Sequence, residues 1–233
     1  MENILVLGSK PNADIPNIEF SQIYVANSAL MRLKEVYEAG AYTEDVKIHS
    51  VVASGLLKHE ELGQLIVECR PDSVVARGED FILESLFRNE LPGSELHNLT
   101  LKDQWDFQKS IFGDELVKAE VFHEKGLYKK IKLALSIYKN KCALGVSTGS
   151  FALLKAITDS PQSNIHVCGI GLQQGPHINS YGRFGRRALV DSYIMPNLLN
   201  YVDVNIYTTD QFFAEKVGVK FYRGPISRSS NEE

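Results

Sequence analysis

The feature that most limits what this chain can become is an alternation. Short apolar runs, each closed by a small polar or glycine-containing turn, are followed by longer stretches with helical spacing. ILVL (Ile4–Leu7) leads into GSKPN. QIYVAN (Gln22–Asn27) precedes SALMRLKEVYEAG, which stops at Gly40, and VKIHSVVAS (Val46–Ser54) precedes LLKHEELGQLIVEC. DSVVARGED (Asp72–Asp80) runs into FILESLFRNEL. Later come LYKKIKLALSIYKN, KCALGVSTGSFALLKAITDS, IHVCGIGL, ALVDSYIMPNLLNYV and VNIYTT (Val204–Thr209). Strands alternating with amphipathic helices build an α/β fold with a mostly parallel sheet flanked by helices. KCALGVSTG reads as a strand or an extended lead-in, with a helix from about Ser150.

From Leu91 to Lys130 the character changes. This stretch is more polar, has weaker periodicity and carries the only tryptophan, Trp105. It reads as a mainly helical insertion, a lid or an acceptor-side subdomain, although ordinary connecting helices suit the residues equally. The 233 residues otherwise suit one domain, 1–233.

Composition removes several classes of function. With 44% hydrophobic and 23% charged residues the chain can bury a core and is not disordered. A formal net charge of -4 provides no general basic field, so nucleic acid is not an expected partner. Cys69, Cys142 and Cys168 are too few and too scattered for a disulfide framework or a CxxC metal site, and Cys142 and Cys168 read as reduced core residues. His49, His59, His97, His123 and His166 show no pairing at ligand spacing, so no metal is expected. No apolar run approaches the ~20 residues of a membrane span, and no basic-then-apolar leader opens the chain. A cytoplasmic location is the expectation.

In open parallel sheets ligands bind at the carboxyl ends of the strands. The sequence places there Gly8, Ser9 and Lys10 after the first strand, Asn27 after the second and Ser54 after the third. Glu79 and Asp80 follow the fourth; Ser147, Thr148, Gly149 and Ser150 open the late helix; and Gly171 lies beyond the strand IHVC. Small, polar and glycine-rich, this set suits a phosphate-bearing ligand held by backbone N–H groups and hydroxyls. GSKPNA lacks the second glycine of a dinucleotide loop, since Lys10 occupies that place, and a plain tight turn accounts for it equally. STGS offers free N–H groups and the positive end of a helix dipole; simple N-capping by Ser147 or Thr148 is the other explanation. Asp80 or Glu79 can serve as a base or nucleophile in a partly dry cleft, or Asp80 can cap the next helix. The loop Gln173–Arg187 gathers His177, Arg183, Arg186 and Arg187 around three glycines, either as an anion clamp or as a solvated basic loop.

In order, these segments resemble the bacterial CMP-sialic acid transferases of glycosyltransferase family forty-two. ILVLGSKPNA stands where that family has an apolar strand and a glycine-rich Pro-Ser turn, and YVANSAL supplies Asn27. SVVASGLL supplies Ser54, GVSTGSFALLKAI a helix-opening Thr-Ser-Gly-like turn, and HVCGIGLQQGPHINSY a strand with a tyrosine-bearing loop. The resemblance covers roughly Ile4–Gly63 and Cys142–Thr209. It implies a Rossmann-like domain that takes a CMP-activated sugar acid and a glycan acceptor in surface polysaccharide synthesis, with no cofactor. Ser147, Thr148 and Gly149 would hold phosphate and ribose, Asn27 the sugar or nucleotide, and Arg186 or Arg187 the leaving group or sugar carboxylate. The chain departs from the family where a Gly-His-Ser loop carries the general base: it reads Phe184-Gly185-Arg186-Arg187, and Gly171 replaces the aspartate of Gly-Ile-Asp. An arginine cannot deprotonate an acceptor at neutral pH. ARGEDF resembles an acidic stretch of some transferases of the sugar acid Kdo, which points to Asp80, then Glu79, as the catalytic carboxylate. A nucleotide-dependent hydrolase or phosphotransferase, and a non-catalytic nucleotide- or glycan-binding module, remain as other readings, and peripheral membrane association and oligomer formation stay open.

Overall fold

The computed structural model describes residues 1–10, 13–33, 36, 42–53, 60–78, 89–122, 124, 126–138, 143, 145–172 and 186–227. Strands β1 (Asn3–Leu7), β2 (Ile15–Pro16), β3 (Phe20–Ala26), β4 (Tyr42–Ala53), β5 (Ser73–Arg77) and β6 (Glu95–Leu99) precede β7 (Asn164–Cys168), β8 (Asn205–Thr208), β9 (Lys220–Phe221) and β10 (Ile226–Ser227). Helices are α1 (Glu60–Cys69), α2 (Leu101–Phe112), α3 (Asp114–Phe122), α4 (Leu127–Tyr138), α5 (Thr148–Asp159), α6 (Arg186–Ile194) and α7 (Gln211–Val217). Eight strands form one sheet in the order β6-β5-β4-β3-β1-β7-β8-β9, and each described pairing within it is parallel. The expected α/β architecture is present.

The apolar runs are continuous because successive residues of each strand point to opposite faces and both faces are covered. Leu5, Leu7, Ile23, Val25 and Val52 pack with Leu62 and Ile66 of α1 on one face. Ile4, Val6, Ala26, Val51 and Val167 pack with Phe151, Leu153 and Leu154 of α5 on the other. The chain adds strands outward from β1 to β6, then crosses back to β7 and continues to β8 and β9. Strand order therefore reverses between β1 and β7, the position at whose carboxyl edge open parallel sheets commonly bind ligands.

Residues 91–130 contain β6, paired in register with β5 from Ser73↔Glu95 to Arg77↔Leu99, followed by α2, α3 and the start of α4. Trp105 and Phe112 of α2 and Leu116 and Ala119 of α3 are buried in the larger core. Thr100 caps α2 in a reciprocal capping box with Asp103. After β3 the backbone enters a 3-10 turn, Asn27–Arg32, rather than directly an α-helix. Asn27 sits at φ +52, a left-handed setting that asparagine tolerates better than most residues.

Residues 145–147 join no strand. Their N–H groups are held by side chains instead: Gly145 donates to Glu120 Oε1 (2.6 Å), Val146 to Gln108 Oε1 (2.7 Å) and Ser147 to Asp191 Oδ1 (2.9 Å). The lead-in is thus extended, and α5 starts two residues before Ser150. Cys168 is fully buried, and burial pushes its thiol up to about 12, as expected of a reduced core residue. Cys142 lies outside the described residues. Among those residues no helix is long and apolar enough to cross a membrane.

Candidate functional site

The site is built around the reversal between β1 and β7. Beyond the ends of these strands the two chains stay zipped: Gly8 N–H donates to the Cys168 carbonyl (2.8 Å) and Lys10 N–H to the Gly169 carbonyl (2.9 Å). A Cβ on Gly8 would lie 2.3 Å from the Gly169 oxygen and 2.7 Å from the Ile170 nitrogen. Only glycine permits that approach. Gly169 adopts φ +74, the second conformation at this junction that favours glycine.

The STGS turn meets the same segment from the other side. A Cβ on Gly149, in the first turn of α5, would touch Ile170 Cγ1 at 3.5 Å. Gly8–Lys10, Ser147–Ser150 and Gly169–Gly171 are therefore gathered at one carboxyl edge. Ser147 accepts from Ser150 N–H (3.3 Å) and so caps α5. Thr148 and Ser150 are buried, Ser150 completely, whereas Ser147 and Gly149 keep accessible surface.

A charged frame lies under this turn. Asp191 on α6 is fully buried; burial raises its carboxyl above the usual range, opposed by its bonds to Ser147 and Ser150 and by the Arg77 charge. Arg77 ends β5 with 2% of its surface exposed, donating from Nε to Gln104 Oε1 (3.1 Å) and from Nη2 to the Val146 carbonyl (2.9 Å). Its guanidinium also lies 4.4 Å over the Phe151 ring. Burial lowers the pKa of Arg187, while Asp191 and Glu120 oppose the shift. These groups fix the backbone of residues 145–147 and aim the helix N-terminus before any ligand arrives, the condition under which N–H dipoles stabilise an anion best.

The remaining candidates divide clearly. Lys10 Nζ is paired with Asp210 Oδ2 at 2.6 Å, with 35% of the lysine side chain exposed. Asp210 also caps α7 through Phe213 N–H (3.1 Å). Asn27 lies at the end of β3, one strand from β1, and its Oδ1 accepts from Ala53 N–H (2.9 Å), tying the ends of β3 and β4 together. Arg187 belongs to the frame, and Ser9 and Gly171 lie in the loops that converge. Ser54, Glu79, Asp80 and His177 lie outside the described residues, as does the side chain of Arg186 at the start of α6. Among the described residues no cluster of His, Cys, Asp and Glu could hold a metal ion.

Sequence reasoning passed over Arg77, Gln104, Gln108, Glu120, Asp191 and Asp210. Two of them carried a signal: Arg77 is a lone cation closing the apolar run SVVAR, and Asp191 shares the buried side of ALVDSYI with Val190 and Ile194. A charge on an apolar face has to be partnered.

No protein-family model and no curated protein matches the chain. Among solved structures it is similar to the sialyltransferase CstII from Campylobacter jejuni in complex with the substrate analogue CMP-3FNeuAc, at TM-score 0.40 and 12% identity. It is also similar to the sialyltransferase CST-II in complex with a trisaccharide acceptor and CMP, at TM-score 0.45 and 12% identity. In both cases 99% of this chain and 92% of the other chain are covered. At this distance the similarity transfers no residue role.

Proposed function

We propose that the chain is a glycosyltransferase that moves a 2-keto sugar acid, sialic acid or Kdo, from a CMP-activated donor to a glycan acceptor. The observation that carries this reading is the meeting of three glycine-bearing segments, Gly8–Lys10, Ser147–Gly149 and Gly169–Gly171, at the reversal of strand order. In the reaction the bond from sugar C2 to the phosphate oxygen breaks and CMP leaves as an anion. The acceptor oxygen bonds to C2, and its proton passes to a carboxylate. The α5 N-terminus, with Ser147, Thr148 and Gly149, holds the departing phosphate and ribose. Gly8, Ser9 and Lys10 line the nucleotide end, with Ser150 beneath it, while Asn27, Ser54 and Gly171 border the sugar. Asp80, with Glu79 second, is the catalytic carboxylate; Arg186, Arg187 and His177 balance the charge of the leaving group and the sugar acid.

Titration with CMP, CDP, UDP and NAD in the absence of divalent metal tests the pocket: micromolar CMP binding is expected, and no nucleotide binding would refute it. Incubation with CMP-sialic acid and CMP-Kdo, read as CMP release, names the sugar. Asp80→Asn should abolish turnover and spare CMP binding; unchanged turnover would remove that assignment.

A second feature concerns a surface remote from the sheet edge. Helix α4 exposes Leu127, Tyr128, Ile131 and Leu135, next to exposed Phe122 at the end of α3. Lys129, Lys130 and Lys132 share the helix, and LYKKIKLALSIY contains no acidic residue. We read this face as a peripheral contact with an anionic lipid surface.

A further inference from the structure

A cavity of about 550 Å³ opens on the sheet face between α2 and α5, and Gly8–Lys10, Ser147–Ser150 and Gly169–Gly171 take no part in its lining. One cross-strand row runs through the middle of its floor, with Val75, His97 and Leu99 beside it. Tyr24↔His49, His49↔Ser73 and Ser73↔Glu95 are register partners, so four neighbouring strands each place a polar side chain side by side. The next row toward the carboxyl edge is apolar at Ala26, Val51 and Val75 and ends in His97 on the edge strand. In a parallel sheet covered by helices such a polar row is costly unless it is satisfied.

Most of it is satisfied. Tyr24 donates to Asp159 (2.9 Å), which also receives Lys155 (2.8 Å), and His49 Nδ1 lies 2.8 Å from Ser73 Oγ. His49 Nε2 is buried and has no hydrogen-bond partner among the described residues. Burial also lowers the pKa of this imidazole, keeping it neutral at pH 7. The other walls are aromatic. Phe107 and Phe151 lie 5.1 Å apart, and Tyr24 stacks on His49 at 4.6 Å. Lys47 and Lys155 face Asp72, Glu95, Asp103 and Asp159 around the rim, so the cavity has no excess of cations for an anion.

We propose that this cavity binds an uncharged sugar unit, hydroxyls toward the row Tyr24–His49–Ser73–Glu95 and C–H face against Phe107 and Phe151. Saccharide rings combine these two faces, and the volume fits one or two of them. The cavity shares no lining residue with Gly8–Lys10, Ser147–Ser150 or Gly169–Gly171 and does not depend on the CMP reading.

The test is a ¹H–¹⁵N NMR titration of the full chain with galactose, N-acetylglucosamine and lactose at millimolar concentrations, followed by CMP. Saturable shifts at the amides of Val75, His97 and Phe107 are expected, with CMP acting at the first turn of α5 instead. Phe107→Ala should weaken the sugar about fivefold or more, through lost stacking. Glu95→Ala, on the exposed rim, should weaken it while leaving the dispersed spectrum intact, which guards against a misfolded variant. The proposal is overturned if no neutral sugar shifts those amides, if binding survives Phe107→Ala and Glu95→Ala unchanged, or if spermidine or acetate binds there more tightly than the sugars. A CMP failure with intact sugar shifts would remove only the donor reading.

Discussion

Gly8→Ala probes the apposition on which the candidate site stands. The added methyl carbon would sit 2.3 Å from the Gly169 oxygen and 2.6 Å from its carbonyl carbon, where ordinary contact begins at 3.4 Å. The two loops must then part by about 1 Å, and neither neighbour is a flexible side chain that can swing away. Overpacking of this kind costs ~1–3 kcal/mol. The separation also strains the bonds from Gly8 N–H to Cys168 and from Lys10 N–H to Gly169, each worth ~1 kcal/mol. The total, about 3–5 kcal/mol, is a large share of the ~5–15 kcal/mol that holds a domain together. Gly149→Ala is the matched control. Its methyl meets Ile170 at an ordinary 3.5 Å, and alanine favours a helix by up to ~1 kcal/mol over glycine. Urea unfolding followed by the fluorescence of buried Trp105 should show a large loss for the first variant and little change or a gain for the second. On the proposed CMP reading, affinity should also fall in both, because each added methyl would intrude on the backbone assigned to the nucleotide. A loss below about 1 kcal/mol for Gly8→Ala would mean that the β1 and β7 loops are not in contact, and the site would lose its foundation.

Three further outcomes are expected. Burial among Phe20, Tyr207 and Tyr222 holds His166 at about 4, below its ordinary 6.5, so the unfolded chain binds more protons between these values. Its contribution is full above pH 6.5 and fades as pH falls toward 4, by at most about 3 kcal/mol; His166→Phe should narrow the gap between urea midpoints at pH 7 and pH 4.5, and an unchanged gap would contradict the assignment. Asp191→Ala should cost ~3–5 kcal/mol by stranding the Ser147 N–H and uncovering buried guanidinium charge, while Asp191→Asn, which keeps an acceptor, should cost less; equal midpoints in urea would dispose of the frame. The chain should co-sediment with phosphatidylserine vesicles at low salt and much less after Ile131→Ser with Leu135→Ser, whereas a change in sedimentation velocity without loss of lipid binding would assign α4 to self-association.

The parallel core was legible because β1, β3, β4, β5, β7 and β8 announce themselves as apolar runs, a direct result of burial on both faces. Strand β6 did not: ELHNL lies at the sheet edge, only partly buried, and its alternation of polar and apolar residues looked like connecting sequence. Two-residue strands such as β9 are too short to show a period. The convergence of GSK, STGS and GIG at one rim was readable from strand ends alone, but their close approach at Gly8 was not, since it depends on which strands are neighbours. The same reason hid the polar row beneath the second cavity. Tyr24, His49, Ser73 and Glu95 are more than twenty residues apart in the chain and become a set only through register.

The first loop is braced almost entirely from far along the chain. Asp210 holds Lys10, the Thr209 hydroxyl donates to the Asp14 carbonyl, and β10 pairs with β2. During synthesis this loop emerges some two hundred residues before Thr209 and Asp210, its supports, exist. Its shape is therefore a late event in folding, set after the central strands have paired. Damage around residues 209–227 would be felt first in that opening turn, long before the rest of the sheet noticed.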